Sequence, residues 1–184
     1  RGVVAEAAQL GLPVVGHAVR DAGGIAAAFE HGQHIVHAEE FIYGWFWPSD
    51  GWPEGDTELR AALAARLEPS GLQELAAATA DSGITVTPNL AAYHLLLHRL
   101  HAREAVLARP EGALLPRDLT AGWQPARNGY TNRPNMARFE TVLEASFPFL
   151  QQLTGALARA GVPLLLGTDA AIPAVVPGFS AHDE

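Results

Sequence analysis

A chain of 184 residues, 48% hydrophobic and 17% charged, is long and apolar enough to bury one sizeable core, which excludes a disordered segment. Its net charge of −8 argues against nucleic acid and anionic membrane as partners, and no apolar run approaches the roughly 20 residues that span a bilayer. Cysteine is absent, which removes disulfides, thiolate metal sites and cysteine nucleophiles; lysine is absent too, since all 12 basic residues are arginine.

The first residue is Arg1, the only methionine is Met136, and the chain opens inside a helical pattern. It therefore reads as an internal piece of a longer protein, which leaves open an upstream leader and the compartment, cytoplasmic or secreted. Residues 3–10 are apolar and alanine-rich, with Gly11 where a helix C-cap is expected. Residues 12–18 read as a strand that delivers His17 at its C-terminal end. Asp21 is placed to cap a helix over 24–30, closed by Gly32, and residues 33–38 repeat the strand pattern, ending in His37. Strand, helix and strand in so short a span predict a β-α-β unit with two parallel neighbouring strands.

Three of the four tryptophans fall between 45 and 52, beside the turn signal Pro48-Ser49-Asp50-Gly51. Helical patterns follow at 57–67 and 71–82, and the β-branched run from Ile84 to Asn89 reads as a third strand. Residues 90–108 look helical. Residues 109–136 carry four prolines and scattered glycines and are expected to form an irregular lid or substrate-facing loop. A long amphipathic helix over 137–160, with Pro148 inside it, feeds a fourth short strand, Leu164-Leu165-Leu166, that ends at Gly167. Residues 170–184 read as a Pro/Gly-rich loop with no terminal element. Neither G-x-G-x-x-G, G-x-x-x-x-G-K-[ST] nor G-x-S-x-G occurs, so nucleotide binding and an elbow-type serine hydrolase have no support.

His17, His37 and Asp169 each follow a predicted parallel strand. In an α/β barrel those strand ends share one face, so residues far apart in sequence converge there. A carboxylate just past a buried strand needs compensation from a metal, a histidine or a hydrogen-bond cluster. Two neutral imidazoles and one carboxylate suit zinc or a similar divalent ion. Each histidine also fits a hydrogen-bonded strand-end role, and Asp169 an Asx-turn or a helix N-cap.

Around these positions the chain resembles the metal-dependent amidohydrolase superfamily, in its imidazolonepropionase- and prolidase-like branch. The likeness is carried by Pro13-Val14-Val15-Gly16-His17-Ala18, by Gly32-Gln33-His34-Ile35-Val36-His37-Ala38, and by Ala160-Gly161-Val162-Pro163 through Gly167-Thr168-Asp169-Ala170. The tail Pro177-Gly178-Phe179-Ser180-Ala181-His182-Asp183-Glu184 extends it, so it runs along nearly the whole chain. It implies an α/β fold in which residues 1–184 are the C-terminal half of a distorted (β/α)8 TIM-type barrel, strands five to eight with their helices. His17 would end strand five, His37 strand six and Asp169 strand eight, with strand seven at 84–87.

The resemblance further implies that His17, His37 and Asp169 bind one or two divalent ions, zinc being the expected metal. Asp169 would act as general base and then acid in hydrolysis of a C–N bond in an amide, a dipeptide or a cyclic amide. The substrate would be a small or dipeptide-like molecule, with no nucleic acid or membrane as partner. The family's strand-one His-x-His pair and strand-four lysine have no counterpart here. Both would lie before Arg1, and this piece alone is then expected to bind metal weakly and not to turn over. A deaminase of the same superfamily and a truncated, non-catalytic relative are the alternatives.

Several other groups carry two readings each. His94, His98 and His101 share one helical face at a metal-compatible spacing, but Leu95 to Leu97 fill the gap where a zinc helix of the H-E-x-x-H type has its glutamate, which favours a solvated face. Glu39 and Glu40 either line the pocket or open the next helix. Phe41, Tyr43, Trp45, Phe46, Trp47 and Trp52 wall a cleft or anchor a loop. Tyr93, Arg127 and Tyr130 are placed to meet a substrate carboxylate, though nothing in their spacing demands it.

Overall fold

Parallel pairing of β1 (Val15–Gly16), β2 (His34–Val36) and β3 (Val86–Thr87), in that order, forms a three-stranded sheet. The computed structural model describes residues 2–46, 51, 53–101, 103–124, 127, 136–170 and 172–184. Trp47, Trp52 and Tyr130 lie outside the described residues. The register sets Val15 opposite His34, Gly16 opposite Ile35, Ile35 opposite Val86, and Val36 opposite Thr87. Beyond β3, Leu164 adds only an isolated parallel bridge to Val86, held by Val86 N–H to Pro163 O at 3.0 Å and Leu165 N–H to Val86 O at 2.9 Å.

This corrects the barrel expectation. The chain is mainly helical around a small three-stranded parallel sheet, a small α/β fold with no sign of a (β/α)8 barrel. Strands five to eight of a barrel would form four paired neighbours in a row, whereas among the described residues the sheet has three short strands and the run expected as strand eight gives one bridge. The predicted fourth strand fails for a related reason. Leu165 and Leu166 are 49% and 68% exposed, so no layer among the described residues buries the run.

The chain forms two compact units: Arg1–Pro88 with Pro148–Leu165, and Asn89–Phe147 with Leu166–Glu184. In the first, α1 (Gly2–Gln9) precedes β1, and α2 (Gly24–His31) connects β1 to β2. Gly32 ends α2 in a left-handed conformation, φ 64°, and its N–H returns to Ala28 O and Phe29 O. α4 (Asp56–Arg66) buries Leu59 and Leu63, and α5 (Leu72–Ser82) buries Leu72, Leu75, Ala76 and Thr79, each set one helical stripe. The later turns of α9 (Met136–Arg159) add Phe149, Leu150, Leu153, Ala156 and Leu157 on the same periodicity. α9 runs unbroken through Pro148, whose ring nitrogen cannot donate to the carbonyl four residues earlier.

Between β2 and α4, α3 (Glu39–Phe41) passes into a π-helical turn over Ile42–Phe46. Phe41 and Phe46 belong to the core, and the Phe46 ring meets Phe149 edge-on at 5.0 Å. Gly44 lies where a Cβ would strike the Ile25 side chain of α2. Gly44→Ala is therefore expected to cost about 1–3 kcal/mol through overpacking, seen as a lower urea midpoint at unchanged m-value; an unshifted midpoint would show that the turn is free to move away from α2.

The second unit contains α6 (Leu90–His101), α7 (Arg103–Leu107), a 3-10 turn at Pro110–Leu114, α8 (Arg117–Ala121), the first turns of α9, and α10 (Ser180–Asp183). Two expectations change here. The stretch expected to be irregular holds helical turns at 110–121, and the tail ends in a helical turn instead of a loop. The Glu184 carboxylate accepts the Ala91 N–H at 2.7 Å, satisfying a donor in the first turn of α6. Arg109 donates through Nη2 to both Asp183 oxygens, at 2.8 and 3.2 Å, and through Nε to Glu111. Glu111 is 7% exposed, and its own backbone N–H, followed by Arg109, holds its carboxyl below the usual range. No helix among the described residues is long and apolar enough to cross a membrane.

Candidate functional site: a histidine pair on a buried carboxylate

Gly16 and Ile35 are register partners, so the residues that follow β1 and β2 emerge side by side at one edge of the sheet. His17 and His37 meet there. Their rings stack with centroids 4.7 Å apart and planes inclined by 22°. Two bonds fix the backbone beneath them: Gln33 Nε2 donates to His17 O at 2.8 Å, and the His37 N–H donates to Thr87 O at 2.8 Å.

Glu40 lies one helical turn beyond His37, with its N–H on His37 O at 3.2 Å. Its carboxylate, 7% exposed, reaches across to His17 Nδ1 at 2.6 Å, whereas the His17 ring is 62% exposed. A carboxylate only accepts, so this bond places a proton on Nδ1 and leaves Nε2 as the ring nitrogen not engaged by Glu40. This is the arrangement by which ligating histidines are commonly oriented. The position of Glu40 in the sequence leaves its role open between pocket wall and helix opening. The signal that distinguishes it is the H-x-x-E spacing from His37, which turns its carboxylate back toward the strand ends.

Nearby, the Arg20 guanidinium sits 4.0 Å over the Tyr43 ring. Burial, then the charge of Glu39, raises the Tyr43 phenol above its ordinary value, which keeps it a neutral donor at neutral pH. Of the aromatic group, Phe41 and Phe46 are core residues, while Trp45 is 37% exposed.

Asp169 belongs to the second unit, in an exposed stretch that follows the Leu164 bridge. Its backbone is left-handed, φ 53°, as are those of His37 at 70° and Asn89 at 56°. All three follow a β-strand or β-bridge segment. Asn, Asp and His are the non-glycine residues most often found in that conformation, so the positions need a sharp change of direction that these residue types supply. Within either unit, no three His, Asp or Glu side chains among the described residues gather as a metal-binding group. The second unit also holds an open cleft of about 600 Å3, lined by Arg109, Arg117, Thr120, Trp123 and Gln124 among others. No protein family, curated protein or solved structure matches the chain.

Proposed function

We propose that this chain carries part of the active site of a metal-dependent hydrolase that cleaves C–N bonds in small amides, dipeptides or cyclic amides. The observation that carries the reading is the buried Glu40 carboxylate on His17 Nδ1, with the His37 ring stacked alongside. Two imidazoles, one already oriented by a carboxylate, fit zinc or a similar divalent ion.

His17 and His37 would hold the ion, and further ligands would come from other residues, as the likeness to amidohydrolases implies. When bound, such a cation lowers the pKa of water toward neutrality and polarises a carbonyl oxygen. Glu40 keeps the His17 proton on Nδ1 and the ring in one orientation. The likeness further implies a role for Asp169, which would accept the proton of the attacking water as the new C–O bond forms. Asp169 would then return that proton to the leaving nitrogen as the C–N bond breaks.

Glu40→Gln removes the negative charge at nearly constant shape and is expected to weaken zinc affinity by about 10–100-fold. His17→Ala is expected to remove the same binding event. Isothermal titration of the intact protein reads both, beside a hydrolysis assay on an amide and dipeptide panel. Zinc affinity unchanged in both variants would end this reading.

A further inference from the structure

We propose that His94 and His98 of α6 form a second, separate site, a two-imidazole chelate for a borderline divalent transition-metal ion such as zinc or nickel. The residues stand four apart on a helix, where side chains lie one above the other. Their ring centroids are 4.2 Å apart with planes inclined by 53°, so the two rings already share one patch of surface. On its other side, the half-buried His94 ring lies 5.9 Å from Phe147, which restricts its rotamer. His98 is exposed and able to take up an ion from solvent.

Electrostatics supports the geometry. Burial, then His98, lowers the His94 pKa; Asp183 acts in the opposite direction and Arg109 in the same one. The His94 imidazole is consequently neutral at neutral pH, the state a metal ligand requires. The platform is fixed as well, since Glu184 holds the Ala91 N–H at the start of α6, and Arg109 holds Asp183. Imidazole nitrogens select zinc, nickel and copper over calcium and magnesium, which take oxygen ligands. Water would complete the coordination.

The two histidine pairs belong to different units of the chain, and one titration distinguishes them. Zinc, and in a parallel experiment nickel, is titrated into the intact wild-type protein and into His98→Ala, His94→Ala and His17→Ala variants, with calorimetry giving stoichiometry. His98→Ala is the primary variant, because an exposed side chain is replaced and folding is unaffected. The expected result is one binding event weakened by about tenfold or more in both α6 variants, as the effective concentration of the second imidazole is lost. That event persists in His17→Ala. A wild-type titration containing no event that His98→Ala weakens overturns the proposal. So does an event lost equally in His17→Ala and His98→Ala.

Discussion

On the hydrolase reading proposed above, Asp169→Asn is expected to lower the rate of C–N hydrolysis by the intact protein by about 10²–10⁴-fold, the range for losing a general acid–base, while the unfolding midpoint stays unchanged. Asn retains the size and hydrogen-bonding shape of Asp, but its amide cannot take the proton of the attacking water. The position is exposed, so loss of the charge removes no buried interaction. Its backbone is left-handed at φ 53°, and Asn enters that region as readily as Asp does. An Ala substitution would confuse chemistry with backbone strain; the Asn substitution separates them. Steady-state kinetics should show kcat and kcat/KM falling together, the mark of an interaction made in the transition state. Full activity in this variant would remove Asp169 from the mechanism.

The largest stability effect is expected at Phe41, which is 0% exposed and stands 6.5 Å from the Phe29 ring. Phe41→Ala deletes a fully buried aromatic ring and should destabilise the protein by about 3–5 kcal/mol, through lost transfer energy and a residual cavity. That is a large part of the total stability of a typical domain. Phe41 also follows Glu40 directly, so a loosened α3 would release the carboxylate that orients His17. Phe41→Leu should lose much less. Urea midpoints at constant m-value measure both, and a shift in Phe41→Ala equivalent to under about 1 kcal/mol would mean that the pocket collapses around the missing ring.

Local chemistry made much of this legible in advance. Gly32 and Gly83 mark helix ends because each adopts a left-handed φ that glycine reaches without strain. The spacing of Leu72, Leu75, Ala76 and Thr79 identifies the buried stripe of α5. The β-α-β pattern at 12–38 brings His17 and His37 to one sheet edge. Strand extent and closure are different, because a strand exists only where a neighbour supplies hydrogen bonds. Leu164-Leu165-Leu166 has the apolar pattern of a buried strand, yet just one of its residues bridges to β3. Pro110 and Pro116 look like loop markers, although proline at or just before the first helical residue starts a helical turn readily, as it does in both places. The bond from Glu40 to His17 depends on tertiary placement, which no local pattern contains.

The sheet register also has a consequence for the order in which the chain folds. Val15 and His34 pair across one short helix, whereas Val86 and Leu164 pair across Asn89–Phe147 of the second unit. Closing the longer loop costs about 1 kcal/mol more in chain entropy, and it returns a single bridge. The β1–α2–β2 segment is thus expected to pair first, and Leu164 to dock late. The histidine pair would then be assembled on the part of the chain that orders first.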